Sequence, residues 1–148
     1  MSGSLVPRPQ RTNPWPLTVE ARQRLDAEIA RLRDDLTSLT SRGLEEGIVM
    51  LPVAIASKRL DTLRRVLAAA EVVTDPSRAA IGRRVTLREK GGEMLSRSIG
   101  FPGDGDPDEG CISADSPLGS AILGACAGEN VEVDAPAGRW SITVVSVD

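Results

Sequence analysis

The sequence predicts an α+β protein, an N-terminal antiparallel helical hairpin that forms a short coiled coil, followed by an antiparallel sheet with one helix. Three observations predict it. Leu25, Ile29, Leu32, Leu36 and Leu39 recur at spacings of three and four, the signature of one apolar helix face. A second seam of the same period runs through Val53, Ala56, Leu60, Leu63, Leu67 and Ala70. Beyond Ala80 the period changes to two: Val85 and Leu87 alternate with Arg84, Thr86 and Arg88, and Trp140, Ile142 and Val144 alternate near the C-terminus, as strands with one buried face require.

The elements follow in order. Residues 1–16 hold Pro7, Pro9, Pro14 and Pro16 among polar residues, which opposes a helix and favours an extended tail. Within it, Ser2 to Arg8 resembles a protease-cleavable linker and enters no functional argument. The hairpin spans residues 17–73, with Thr18 as N-cap and Glu20 in the positive first turn. Its first helix is expected to close near Arg42 and Gly43, and its second to open just after Pro52. Arms of about 20 to 25 residues reach roughly 30 to 37 Å at 1.5 Å per residue, with the tip in Gly43 to Leu51. Residues 74–80, containing Asp75-Pro76-Ser77, read as a linker.

The second unit, residues 81–148, opens with a hairpin turning at Gly91-Gly92, whose returning strand lines Leu95, Ile99 and Phe101 along one face. A polar loop from Gly103 to Gly110, a short strand Cys111–Ser113 and a helix over Pro117 to Ala125 follow, the helix capped by Asp115 or Ser116. Two strands joined at Pro136 to Gly138 complete the domain.

Composition narrows the function. The net charge is −3 and histidine is absent, which argues against strong autonomous nucleic-acid binding and against histidine chemistry. Phe101, Trp15 and Trp140 are the aromatics, a poor supply for a base-stacking platform. Cys111 and Cys126 lack metal-ligating neighbours and read as reduced thiols. No apolar run approaches the roughly 18 residues of a membrane span and no secretory leader is evident, so a cytoplasmic protein without membrane association is expected. Asp104, Asp106, Asp108 and Asp115 occupy positions one, three, five and twelve of a calcium loop, but Glu109 stands where that loop needs glycine. An acidic surface loop is the reading kept, and no metal or cofactor is assigned.

The run from Asp108 to Gly124, Asp-Glu-Gly-Cys-Ile-Ser-Ala-Asp-Ser-Pro-Leu-Gly-Ser-Ala-Ile-Leu-Gly, is more particular than a fold requires. It resembles the C-terminal signature of the bacterial Gre transcript elongation and cleavage factors, continued through Gly128 to Val133, Pro136 and Gly138. Leu17-Thr18-Val19-Glu20-Ala21 and Leu67 to Val73 resemble the two ends of that family's coil. The resemblance implies an FKBP-like C-terminal domain, RNA polymerase as partner, and docking at the rim of its secondary channel through Asp115, Ser116, Pro117, Leu118 and Gly119. For Ile122 and Leu123 the reading is core. Prolyl isomerisation is not inferred from such a fold, since activity lives in a site and only Phe101 and Trp140 are present to line one.

Catalytic members of that family carry an acidic pair at the coil tip that helps hold a Mg²⁺ ion in the polymerase. Here the nearest match is Gly43-Leu44-Glu45-Glu46-Gly47, without the family's aspartate, followed by the apolar Ile48-Val49-Met50-Leu51. The arms are also shorter than the family's by roughly a heptad each, withdrawing the tip by about 10 Å. Glu45 and Glu46 are therefore read as solvated charges, and the chain as a regulator without a catalytic site of its own that obstructs the channel. Two alternatives stay open: a cleavage factor using Glu45 and Glu46, and a binding module resembling the short-coiled Rnk proteins.

Overall fold

The computed structural model describes residues 15–46 and 50–148. Its elements are β1 (Trp15–Leu17), α1 (Val19–Glu46), α2 (Met50–Ala68), β2 (Ala70–Val72), β3 (Arg84–Glu89), β4 (Met94–Gly100), β5 (Cys111–Ser113), α3 (Pro117–Ile122), β6 (Asn130–Ala135) and β7 (Gly138–Val147), with a 3-10 turn at Pro107–Glu109. No helix among the described residues is long and apolar enough to cross a membrane.

Thr18 caps α1: its buried Oγ1 accepts a hydrogen bond from the Ala21 amide at 3.0 Å. Ala21, Leu25, Ile29 and Leu32 are buried against Leu60, Leu63 and Val66 of α2, while Leu36 and Leu39 toward the tip are half-buried. α1 does not close at Gly43 but continues through Glu46. Leu44, Glu45 and Glu46 are good helix formers, and one interior glycine costs only about 1 kcal/mol relative to alanine. α2 begins at Met50, ahead of Pro52. That proline falls in the first turn, where a missing N–H leaves no bond unmade.

The two ends of the hairpin depart further from expectation. Trp15 and Pro16, read as the end of a tail, form β1 with Leu17, and Ala70, read as part of the second helix seam, starts β2. The two strands pair in parallel, Trp15 opposite Ala70 and Leu17 opposite Val72. A residue that precedes proline is biased to extended backbone, and Trp15 is such a residue. Its amide donates to the Ala69 carbonyl at 2.7 Å. Pro16 has no N–H to leave unpaired, and its carbonyl accepts from Ile81 at 2.9 Å.

The main sheet has the order β5-β4-β3-β7-β6. β4, β3, β7 and β6 are antiparallel neighbours, and the edge strand β5 runs parallel to β4. Residues Lys90 to Glu93 turn β3 into β4, with Gly92 at φ +93. Thr86 pairs Ser146 and Leu87 pairs Val144, so Val145 is the extra residue of a bulge. Leu87, Val131, Val133, Ile142 and Val144 are buried on the face covered by α3, whose Ile122 and Leu123 are fully buried.

Residues 74–80 are held on both sides. Ala79 and Ala80 are fully buried, Ala79 exchanges backbone hydrogen bonds with Ala125 and Gly124 at 2.8 Å, and Ser77 accepts from Ala127 at 2.9 Å. The hairpin base and the sheet consequently share one continuous apolar core, from Leu25 and Leu63 through Ile81 to Val85 and Val144. The contact is close at Gly82, where φ is +101 and an added Cβ would lie 2.6 Å from Thr18 Oγ1.

Two substitutions and one control test this packing by urea denaturation. Leu63→Ala, at a fully buried side chain, is expected to cost about 2 to 5 kcal/mol. Gly82→Ala is expected to cost more than about 1 kcal/mol, through strain at positive φ and collision with the α1 cap. Gly91→Ala, in open space, should stay within about 0.5 kcal/mol of the parent.

Candidate functional site

The five positions Asp115 to Gly119 span the turn that follows β5 and the first turn of α3. Ser116 is the N-cap, with φ −69 and ψ 161, and Pro117 occupies the first turn, where its fixed φ suits a helix start. Ser116 Oγ accepts from the Gly119 amide at 3.0 Å and donates to the Ser113 carbonyl at 2.7 Å. Ser120 donates its amide to the Ser116 carbonyl at 2.8 Å and its hydroxyl to the Ala114 carbonyl at 3.3 Å. A Cβ on Gly119 would lie 2.0 Å from the Ser113 carbonyl oxygen, so only glycine lets α3 start this close to β5.

This bonding leaves Asp115 and Pro117 exposed, Ser116 and Leu118 half-buried, and Gly119 buried. The turn thus presents a carboxylate and a proline ring to solvent, held by a backbone with little freedom to rearrange. The turn offers shape and one charge rather than a reaction centre. The Cys111 thiol nearby is pushed above its usual range, by burial first and then by Asp104 and Asp106, which disfavours the thiolate a nucleophile needs.

The aspartates with calcium-loop spacing go to separate partners. Asp104 Oδ1 lies 2.8 Å from Arg59 Nη2. Asp106 Oδ1 accepts from the Asp108 amide at 3.1 Å, and Asp115 Oδ1 accepts from the Ser113 hydroxyl. Among the described residues no group of three or more cysteines and carboxylates is placed to hold a metal ion.

Glu45 and Glu46 lie at the other end of the hairpin, in the last turn of α1, about 40 Å along the helix from Val19 at 1.5 Å per residue. Their side chains, and Gly47 to Val49 beside them, lie outside the described residues. The structure therefore gathers the five docking candidates in one place and leaves the two glutamates at the tip. Sequence reasoning missed Ser113, which anchors the turn by its carbonyl and its hydroxyl, and Arg59, which reaches from α2 to the loop after β4. Neither carries a motif, because each matters only through its partners distant in sequence.

The family model described as the C-terminal domain of the transcription elongation factors GreA and GreB matches residues 74–148. The chain is 36% identical over 117 residues to the transcription elongation factor GreB of Xanthomonas axonopodis pv. citri, covering 78% of this chain and 68% of that protein. To the transcription elongation factor GreA of Syntrophobacter fumaroxidans it is 29% identical over 150 residues, covering 89% of this chain and 96% of that protein. Among solved structures, the GreA factor homolog 1 (Gfh1) of Thermus thermophilus is 26% identical, with 92% of this chain and 99% of that chain covered and a TM-score of 0.42. A family match over the C-terminal half, joined by a GreB relative that extends well into the hairpin, establishes that this chain belongs to the GreA/GreB family of transcription elongation factors.

Proposed function

We propose that the protein docks on RNA polymerase through Asp115 to Gly119 and inserts its hairpin into the secondary channel, where it obstructs the active centre instead of stimulating transcript cleavage. Family membership supports the partner. The exposed Asp115 and Pro117 on a rigid helix start support the docking surface.

The observation that carries the inhibitory half is the continuation of α1 through Glu46. A second Mg²⁺ in a polymerase takes one or two carboxylates alongside phosphate and water oxygens, and the family's acidic pair supplies them together. Consecutive helix positions are separated by about 100° around the axis, an arrangement poorly suited to joint ligation. The comparison with the Syntrophobacter relative runs over 150 residues while covering 89% of this chain, so this chain is the shorter across that span. We place that missing length in the hairpin, whose arms read from the sequence as about a heptad shorter each, so that the tip fills the channel without reaching the metal.

The test is transcript cleavage in a backtracked elongation complex containing an active Gre factor and increasing amounts of this protein. Suppressed cleavage is expected, and Glu45→Ala with Glu46→Ala should leave the suppression unchanged. Stimulated cleavage that disappears in that double variant would overturn the inhibitory reading in favour of a cleavage factor. Asp115→Ala combined with Pro117→Ala is expected to raise the concentration needed for half-suppression about tenfold, equivalent to roughly 1.4 kcal/mol of docking energy. An unchanged value would move the docking surface elsewhere.

A further inference from the structure

Arg59 stands on α2 but makes its polar contacts in two other parts of the chain. Its side chain is 21% exposed, with Nε 3.5 Å from Glu28 Oε1 of α1. Its Nη1 donates to the Pro102 carbonyl and its Nη2 to Asp104 Oδ1 at 2.8 Å. All three nitrogens of the guanidinium are therefore engaged, one toward the hairpin and two toward the loop that leaves β4. An open cleft of about 400 Å³ lies beside these contacts and reaches Asp115.

The next links run from that loop into the docking turn. The Gly103 amide, between the two Arg59 acceptors, donates to Ser113 Oγ at 2.9 Å. The Ser113 hydroxyl donates to Asp115 Oδ1, and the Ser113 carbonyl accepts from Ser116 Oγ, which caps Gly119. One polar chain thus connects Glu28 on the hairpin to Asp115 and Ser116, passing through Arg59, residues 102–104 and Ser113. Charge-assisted hydrogen bonds from a planar guanidinium fix direction as well as distance, so the position of α2 sets that of the loop, and the loop orients the Asp115 carboxylate.

We infer that Arg59 is a positioning residue that ties the hairpin to the docking turn through residues 102–104 and Ser113, and so holds the Asp115 carboxylate in the conformation it presents to a partner. The inference rests on the docking role given above to Asp115 to Gly119. In an exposed turn, a carboxylate held by one serine hydroxyl can rotate away. Holding Gly103 in place keeps that serine occupied on its other side.

The test is a backbone amide spectrum of the full-length ¹⁵N-labelled protein, compared with Arg59→Gln and Asp104→Asn, together with the cleavage-suppression assay. Both variants are expected to shift the amide signals of Ser113, Asp115 and Gly119, none of which is among the hydrogen-bond or ion-pair partners of Arg59, and to leave those of β6 and β7 in place. Arg59→Lys, which retains the charge but not the fork, should shift them less. Suppression by Arg59→Gln should weaken several-fold. Displacement confined to Gly103 and Asp104, with Asp115 and Gly119 unmoved, would overturn the coupling, as would a loss of thermal stability in both variants without those shifts. The spectral arm needs no polymerase, so a wild-type protein that fails to act on polymerase refutes the docking reading while the coupling is decided separately.

Discussion

The structure depends on a three-residue strand. β1 lies between β2, which ends the hairpin, and Ile81, which begins the sheet domain: Val73 donates to Leu17 at 2.9 Å, Ile81 donates to Pro16 at 2.9 Å, and Thr18 donates to Ile81 at 3.0 Å. Backbone hydrogen bonds alone contribute modestly, on the order of 1 kcal/mol each. Their weight here comes from what they enclose, since Leu17, Ala21, Leu25, Ile81 and Val85 are all buried at the junction. Swinging the hairpin would expose that apolar surface and pull the Thr18 cap from Gly82. A hairpin fixed at its base can transmit its direction to the domain that carries the docking turn.

The turn obeys a related constraint on a smaller scale. Ser113 belongs to an edge strand that pairs in parallel with β4, and its carbonyl faces the start of α3. Gly119 accommodates that carbonyl, Ser116 bonds to it, and Pro117 needs no amide partner in the first turn. The order Ser-Pro-Leu-Gly is thus a packing solution as well as a candidate recognition motif. The packing leaves Asp115 and Pro117 outward, and these are the positions to which the proposed docking assigns its contacts.

Much of this was legible before the coordinates. The period-three-and-four seams identified both helices, and Leu60 and Leu63 are buried as their spacing implied. The alternating residues of β3 and β6 gave their inner faces, and Ile142 and Val144 gave that of β7, but Trp140 of the same alternation is exposed; the order around Ser116 gave the cap of α3. Tertiary pairing overrode local pattern at Ala70, whose helical spacing lost to a strand partner supplied by Trp15. Gly43 stopped nothing because the residues after it favour a helix. The parallel pairing of β5 and the reach of Arg59 had no sequence signal, since both arise from elements brought together only by the fold.

The central claim is that the Asp115 to Gly119 turn meets RNA polymerase. Site-specific photocrosslinking in a purified elongation complex tests it most directly, with benzoylphenylalanine at position 117 and, in a separate protein, at position 130 on β6, the edge strand of the sheet opposite β5. Crosslinks to polymerase from position 117 and none from position 130 are the result this account predicts. Crosslinks from position 130 alone, or from neither position in a complex where the protein still alters transcript cleavage, would contradict it.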